Sequence, residues 1–221
     1  MRLRLRLIAA SGLVLYAMVA SAASKPHIVI LGKTTSVKIF AGPDEDKPLE
    51  LKVRPLYVDG KLKEYTFGAA HEITDRLYVV RRIVRINDTL PDETAPRWTW
   101  QRGGWLIVDR VSGHASLVNL PDFDPDSSTG TWFRDYVAYC GLSDDGRKIV
   151  AVVAQLGHRK PLLKKPLGEV NTNTSDAWCP APTWQRHPMR VIFVQTSGEK
   201  FNYEIHRRSV EVVTDDDDDS E

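Results

Sequence analysis

Apolar and polar residues alternate along most of the chain, and elsewhere apolar residues form short runs separated by turn residues. Alternation with a period of two is typical of strands that bury one face, whereas short apolar runs are typical of strands covered on both faces. The 3.6-residue period of helices is almost absent after the N-terminal segment. We therefore predict strands at 27–32, 36–42, 49–58, 61–68, 76–88, 105–111, 114–120, 135–142, 147–155, 189–195 and 200–205.

Four dipeptides predict tight turns between consecutive strands, because glycine supplies the positive φ angle that short hairpin loops need. They are Asp59-Gly60, Ser112-Gly113, Asp145-Gly146 and Ser197-Gly198. These hairpins predict a single all-β domain over residues 23–212, with antiparallel strands in a sandwich or barrel-like arrangement. A small propeller-like arrangement is the alternative.

A short repeated motif suggests an internal duplication. The tetrapeptide TWQR occurs at 99–102 and again at 183–186, roughly 85 positions later, and the Asp-Gly and Ser-Gly turns recur at a similar offset. The two halves would span 45–125 and 131–210. Coincidence is the alternative, because short identities are common in β-rich chains.

Residues 1–22 have the layout of a secretory signal peptide. Three arginines precede an apolar run, and Ala20-Ser21-Ala22 fits the small-residue cleavage pattern. The apolar run is shorter than the roughly 20 residues that a transmembrane helix needs, so a retained membrane anchor is the less favoured alternative. We expect an exported protein, periplasmic or secreted, without membrane insertion after signal cleavage.

Charge is nearly balanced, with 30 basic and 29 acidic side chains and a formal net charge of +1. This balance gives no general attraction to nucleic acid, so we expect no nucleic-acid partner. Five of the acidic residues are consecutive, in the terminal segment DDDDDSE. Because like charges in a run repel one another, we predict a disordered acidic tail over 213–221.

Cys140 and Cys179 are the only cysteines. In an exported protein, two cysteines form a disulfide more often than they remain reactive, so we predict a bond between them. The alternative makes Cys140 a nucleophile, which would need a basic partner to lower its pKa. No histidine lies near Cys140 in the sequence.

Asp122, Asp124 and Asp126 stand at alternate positions in the segment DFDPDSSTG, a spacing that calcium loops use. The match then fails, because Ser127 and Phe133 stand where an EF-hand has glycine and glutamate. A calcium site is therefore possible, and an aspartate-rich turn that caps its own backbone amides is the favoured alternative.

Two further groups of side chains could bind a ligand. Arg81 and Arg85 lie on one face of the predicted strand 76–88, and Val80, Val84 and Ile86 make the opposite face the expected core side. The arginines could form an anion-binding strip, although pairing with acidic neighbours is the favoured interpretation. Trp98 and Trp100 share a strand face and could stack on sugars or peptides if exposed, whereas burial is the favoured interpretation.

Catalytic motifs are missing: there is no G-x-S-x-G, P-loop, G-x-G-x-x-G or paired C-x-x-C. His71, Glu72 and Asp75 lie close together in the sequence, but without the spacing of a metalloprotease helix. We interpret 71–75 as a polar turn between strands.

Three stretches, VDGKLKEYTFGAAHEITDRLYVVRRIVRINDTLP, WTWQRGGWLIVDRVSG and WFRDYVAYCGLSDDGRKIVAVVAQ, resemble an uncharacterised family of exported bacterial β-rich proteins. The resemblance covers roughly half of the chain after the signal peptide. It implies export from a bacterial cell and carries no activity, ligand or catalytic residue with it.

The expectation is an exported, non-enzymatic binding module that presents the loops 87–104, 121–132 and 168–188 to a protein or glycan partner. The alternative is a metal-assisted hydrolase with a dispersed site near 122–126. No cofactor other than a possible calcium ion is expected.

Overall fold

A computed structural model describes residues 25–40, 48–92, 94–170, 179–195, 197–206 and 209–213. Within these ranges the structure contains strands and no helices, and the strands pair antiparallel in three sheets. The all-β prediction is therefore confirmed. The predicted signal peptide and nearly all of the predicted acidic tail lie outside the described residues.

The strands are β1 (Val29–Leu31), β2 (Thr35–Ile39), β3 (Leu49–Val58), β4 (Lys61–Glu72), β5 (Leu77–Asn87), β6 (Trp98–Asp109), β7 (Ala115–Leu117), β8 (Thr131–Phe133), β9 (Tyr136–Leu142), β10 (Lys148–Gln155), β11 (Leu163–Glu169), β12 (Thr183–Gln185), β13 (Arg190–Val194), β14 (Lys200–His206) and β15 (Ser209–Val213). Each of the four predicted turns joins two consecutive strands, and its glycine has a positive φ angle.

Sheet A contains β1 to β7 in the order β1-β3-β4-β5-β6-β7. The strand β2 pairs with the first half of β3, whereas β1 pairs with its second half. The sheet curls so that β2 also lies against β6, although it does not close into a barrel. Ile39, Val53 and Ile83 form a buried cluster inside this curl.

Sheets B and C are four-stranded, in the orders β11-β10-β9-β8 and β12-β13-β14-β15. They enclose one core between them, to which Ala151 and Val153 of sheet B and Val191 and Phe193 of sheet C contribute. This face-to-face packing is consistent with the predicted sandwich. The opposite face of sheet B is also buried, because Leu120, Phe123 and Trp132 cover it. Residues Ile149 to Ala154 of β10 are accordingly all buried, as its continuous apolar sequence predicts.

The predicted disulfide joins Cys140 in β9 to Cys179, which precedes β12. Both cysteines are buried in the core between sheets B and C. The bond therefore links the two layers of the sandwich.

The two TWQR motifs lie in different strand contexts. The first belongs to the long strand β6, in which the apolar segment Trp105–Val108 continues the same strand. The second begins in the short β12, and its following apolar segment is the neighbouring strand β13. The duplication stays a prediction.

Candidate functional site

An exposed aromatic surface lies at the start of β6. Trp98 and Trp100 stand two residues apart, so they project from the same face of sheet A. Trp98 is 49% exposed and Trp100 is half-buried, so the favoured expectation of burial is wrong for Trp98. The exposed ring lies near Phe40, the residue that follows β2, which is 57% exposed.

These side chains line a shallow cavity of ≈ 520 Å³. We call its lining the Trp98 surface, which consists of Phe40, Ile86, Asp88, Arg97, Trp98, Thr99, Trp100 and Gln101. Sequence reasoning missed Phe40 and Ile86. Phe40 depends on the curl that brings β2 against β6, which no local sequence pattern reports, whereas Ile86 lies here because it pairs with Thr99 across β5 and β6.

The guanidinium of Arg85 lies over the two indole rings. Arg85 pairs with Trp100 across β5 and β6, so both side chains lie on one face. Its Cζ atom is 4.8 Å from the ring centroid of Trp98 and 6.0 Å from that of Trp100. Among the residues that the structure describes, Arg85 forms no ion pair. Stacking of this kind orients a cation while leaving its N–H groups available to a ligand.

The loop beside the Trp98 surface is closed by a network around Arg97. Its guanidinium donates to the Asp88 carboxylate at 2.9 Å and to the Asp88 carbonyl oxygen at 3.0 Å. Its backbone N–H donates to the side chains of Asn87 and Thr89 at 3.0 and 2.8 Å. The network holds one edge of the surface in place.

Trp100 also lines a second cavity, of ≈ 580 Å³, inside the curl of sheet A. Its ring meets that of Tyr65 edge to face, with 5.0 Å between the centroids. Lys33 and Thr35 add polar groups to this cavity. Trp100 therefore contributes to the linings of both cavities.

Arg81 is buried, so the expectation of one core face on β5 is wrong in part. Val80 on the expected core face is fully buried, but Ile86 on that face is exposed, and Val79, Arg81 and Ile83 on the other face are at most 8% exposed. Three aromatic rings explain how the core accommodates an arginine. The Arg81 guanidinium lies 4.8 Å from the ring centroid of Phe123, 5.3 Å from that of Phe67 and 5.7 Å from that of Trp105.

The same guanidinium fixes the aspartate-rich loop. Arg81 donates to the carbonyl oxygens of Pro125 at 2.7 Å and Ser128 at 3.2 Å. Tyr139 donates its hydroxyl to the carbonyl oxygen of Pro121 at 2.6 Å, and burial raises its pKa. Residues 121–130 therefore connect sheets A and B as a clamped segment, with less free surface than a presented loop would have.

The three aspartates do not converge. The Asp122 carboxylate pairs with the Lys164 ammonium, which lies 3.0 and 3.1 Å from its two oxygens. One oxygen of Asp124 accepts from the backbone amides of Asp126 and Ser127, at 2.9 and 2.7 Å, which is the capping arrangement expected as the alternative. Within the described residues, no three His, Cys, Asp or Glu side chains are grouped closely enough to hold a metal ion.

The predicted polar turn at 71–75 is confirmed only in part, because His71 and Glu72 are the last residues of β4 and the turn to β5 begins after them. Glu72 accepts two hydrogen bonds of 2.6 Å from Arg110, and these lower the pKa of Glu72. The His71 Nε2 atom lies 2.8 Å from the carbonyl oxygen of Arg134. The His71 ring stacks on that of Trp132, with 6.0 Å between the centroids. His71 therefore contacts the β8–β9 hairpin. Asp122 pairs instead with Lys164, and Asp124 accepts from backbone amides of its own loop.

The described part of the chain contains no helix long and apolar enough to span a bilayer. Searches of family models, of curated proteins and of solved structures found no significant match to this chain. The site therefore rests on its own geometry.

Proposed function

We propose that this chain is an exported, non-enzymatic binding module that holds a glycan on the Trp98 surface. The observation that carries the proposal is the half-exposed Trp98, which stands beside an exposed Phe40 on a frame of paired strands. Large aromatic side chains in water are unusual on a monomer surface and are characteristic of contact surfaces. An indole ring offers a flat apolar area that matches the apolar face of a sugar ring.

Polar groups around the rings would supply orientation. Asp88, Thr99 and Gln101, which carry a carboxylate, a hydroxyl and an amide, are lining residues of the same cavity. A few polar groups around an apolar area are what gives a small-molecule site its specificity. Arg85 adds N–H donors that have no ion-pair partner in the described residues, so a glycan that carries carboxylates would gain a further contact.

A protein partner is the second candidate, because aliphatic side chains extend the exposed area. Leu49 and Leu90 are exposed like Ile86, and Leu49 pairs with Ile39 directly before Phe40. A protein segment would cover these aliphatic groups as well, whereas a sugar needs chiefly the rings.

The test compares wild-type protein with Trp98→Ala by affinity electrophoresis. Each gel contains one polysaccharide, and the set includes neutral and carboxylate-bearing polysaccharides. We expect at least one polysaccharide to retard the wild-type protein and the Trp98→Ala variant to migrate freely. The matched control is Val212→Ala, which removes an exposed apolar side chain from sheet C and should leave the retardation unchanged.

Equal retardation of wild type and Trp98→Ala would exclude the Trp98 surface as the site. Absence of retardation by every polysaccharide would reject the glycan and leave the protein candidate. That candidate predicts that Leu90→Asp abolishes binding of a purified partner.

A further inference from the structure

A third cavity, independent of the Trp98 surface, lies between sheet A and the clamped segment 121–130. It encloses ≈ 280 Å³ and is lined by Phe67, Arg81, Arg102, Trp105, Pro125, Asp126, Ser128, Thr129 and Gly130. We call it the Arg81 cavity. Its lining combines aromatic residues with two arginines.

Arg81 has a donor without a partner. The side chain is 92% buried, and its two terminal nitrogens bind backbone carbonyl oxygens, but its Nε atom has no hydrogen-bond acceptor. The indole Nε1 atom of Trp105 is also buried without an acceptor. Buried donors are nearly always paired, so two unpaired donors on residues that line one cavity point to a missing acceptor.

Neither guanidinium has a carboxylate partner. Arg102 donates to the backbone carbonyl oxygen of Asp126 at 2.8 Å, and no ion pair joins Arg81 or Arg102 to any described acid. Burial and the neighbouring charge of Arg102 lower the pKa of Arg81 to about 10, against the opposing effect of the Asp126 and Asp124 carboxylates. Two cations whose hydrogen bonds go only to carbonyl oxygens would be further stabilised by an anion between them.

We propose that the Arg81 cavity binds a small organic carboxylate. The carboxylate oxygens would accept from the guanidinium groups of Arg81 and Arg102, which offer planar sets of N–H donors. The rings of Phe67 and Trp105 would contact the apolar body of the ligand, so an organic acid fits better than inorganic phosphate. Asp126 lines the same cavity and repels the ligand, so its negative charge weakens binding.

The test titrates ¹⁵N-labelled protein with benzoate, acetate and inorganic phosphate, and follows the Arg81 Nε–H and Trp105 indole N–H signals by NMR. Benzoate should shift both signals in a saturable way and should bind more tightly than acetate or phosphate. Arg102→Gln should weaken benzoate binding by tenfold or more. Asp126→Asn should tighten it severalfold, because the repelling charge is removed.

The matched control is Arg147→Gln, which removes an exposed arginine from the turn between β9 and β10 and should leave the benzoate affinity unchanged. Absence of saturable shifts, or tighter binding of phosphate than of benzoate, would overturn the proposal. An unchanged affinity in Asp126→Asn would also contradict it. The affinity of Asp126→Asn for benzoate tests the proposal even if Arg102→Gln fails to fold.

Discussion

Gly141 in β9 packs directly against the backbone of Asp122. A Cβ atom on Gly141 would stand 3.0 Å from the carbonyl carbon of Asp122 and closer still to its carbonyl oxygen. The amide of Leu142 donates to that oxygen at 3.3 Å. Asp122 itself has a positive φ angle of 57°, which is uncommon for a residue with a side chain. The segment 121–130 thus crosses sheet B at a position where only glycine fits.

Gly141→Ala should therefore destabilise the fold. The added methyl group displaces backbone, which cannot rotate away as a side chain can, and we expect a loss of about 1–3 kcal/mol in the free energy of unfolding. Urea unfolding followed by tryptophan fluorescence measures it. Gly104→Ala is the matched control, because its Cβ atom would meet only Leu117, at 3.9 Å. Equal stability of the two variants would contradict the close contact.

Replacement of both cysteines by alanine should lower stability substantially. The disulfide closes a loop of 39 positions between the layers of the sandwich, and the chain-entropy relation assigns such a loop about 4 kcal/mol. The midpoint of urea unfolding in the double variant, and in wild type with and without reductant, measures the effect. If the reductant shifts the double variant as much as it shifts wild type, the loss does not come from the disulfide.

Arg81→Met should loosen the segment 121–130 while keeping the volume of the buried side chain. The carbonyl oxygens of Pro125 and Ser128 lose their donors, and we expect a loss of about 2 kcal/mol in the free energy of unfolding. Hydrogen exchange should accelerate for amides in 124–130 and remain slow in β13 and β14. Uniform acceleration over all strands would show general unfolding, and would contradict a local clamp.

Acid should weaken the contact between β5 and the β6–β7 turn. Hydrogen bonds from Arg76, Ser112 and backbone amides lower the pKa of Asp109 below its usual value. A carboxyl whose folded-state pKa is depressed contributes stability above its unfolded-state pKa of about 4, and this contribution is lost as the pH falls below that value.

Asp109→Asn should consequently reduce the melting temperature at neutral pH and flatten its decline between about pH 5 and pH 2. Thermal unfolding by circular dichroism over that range measures the slope. Asp92→Asn, which changes an exposed aspartate in the loop after β5, is the control and should follow wild type. A parallel decline in all three proteins would contradict the role of Asp109.

Much of the fold follows from local patterns. The Asp-Gly and Ser-Gly dipeptides predict their turns because a tight hairpin needs a positive φ angle, a property of the residues at the turn itself. The buried strand β10 is predictable because apolar residues on both faces need covering on both faces. The disulfide follows from the cysteine count together with the predicted export.

The candidate site follows from the sequence only in part. Trp98, Trp100 and Arg85 stand out because tryptophan and arginine are common in contact surfaces. Their exposure, and the presence of Phe40 beside them, depend on how sheet A curls. Arg81 was wrongly expected on a solvent-exposed face, because binary patterning assigns a charged residue to solvent and does not include contacts with three aromatic rings from distant segments.

By itself, the sequence determined that the chain forms antiparallel hairpins with a buried central strand, because strand period and turn chemistry act between neighbouring residues. Only the tertiary structure decided that both faces of β5 are buried around Arg81, that the three aspartates do not converge, and that two arginines share a cavity in which neither forms an ion pair. Those outcomes depend on contacts between residues far apart in the chain, whose geometry is set by sheet curl and by layer packing.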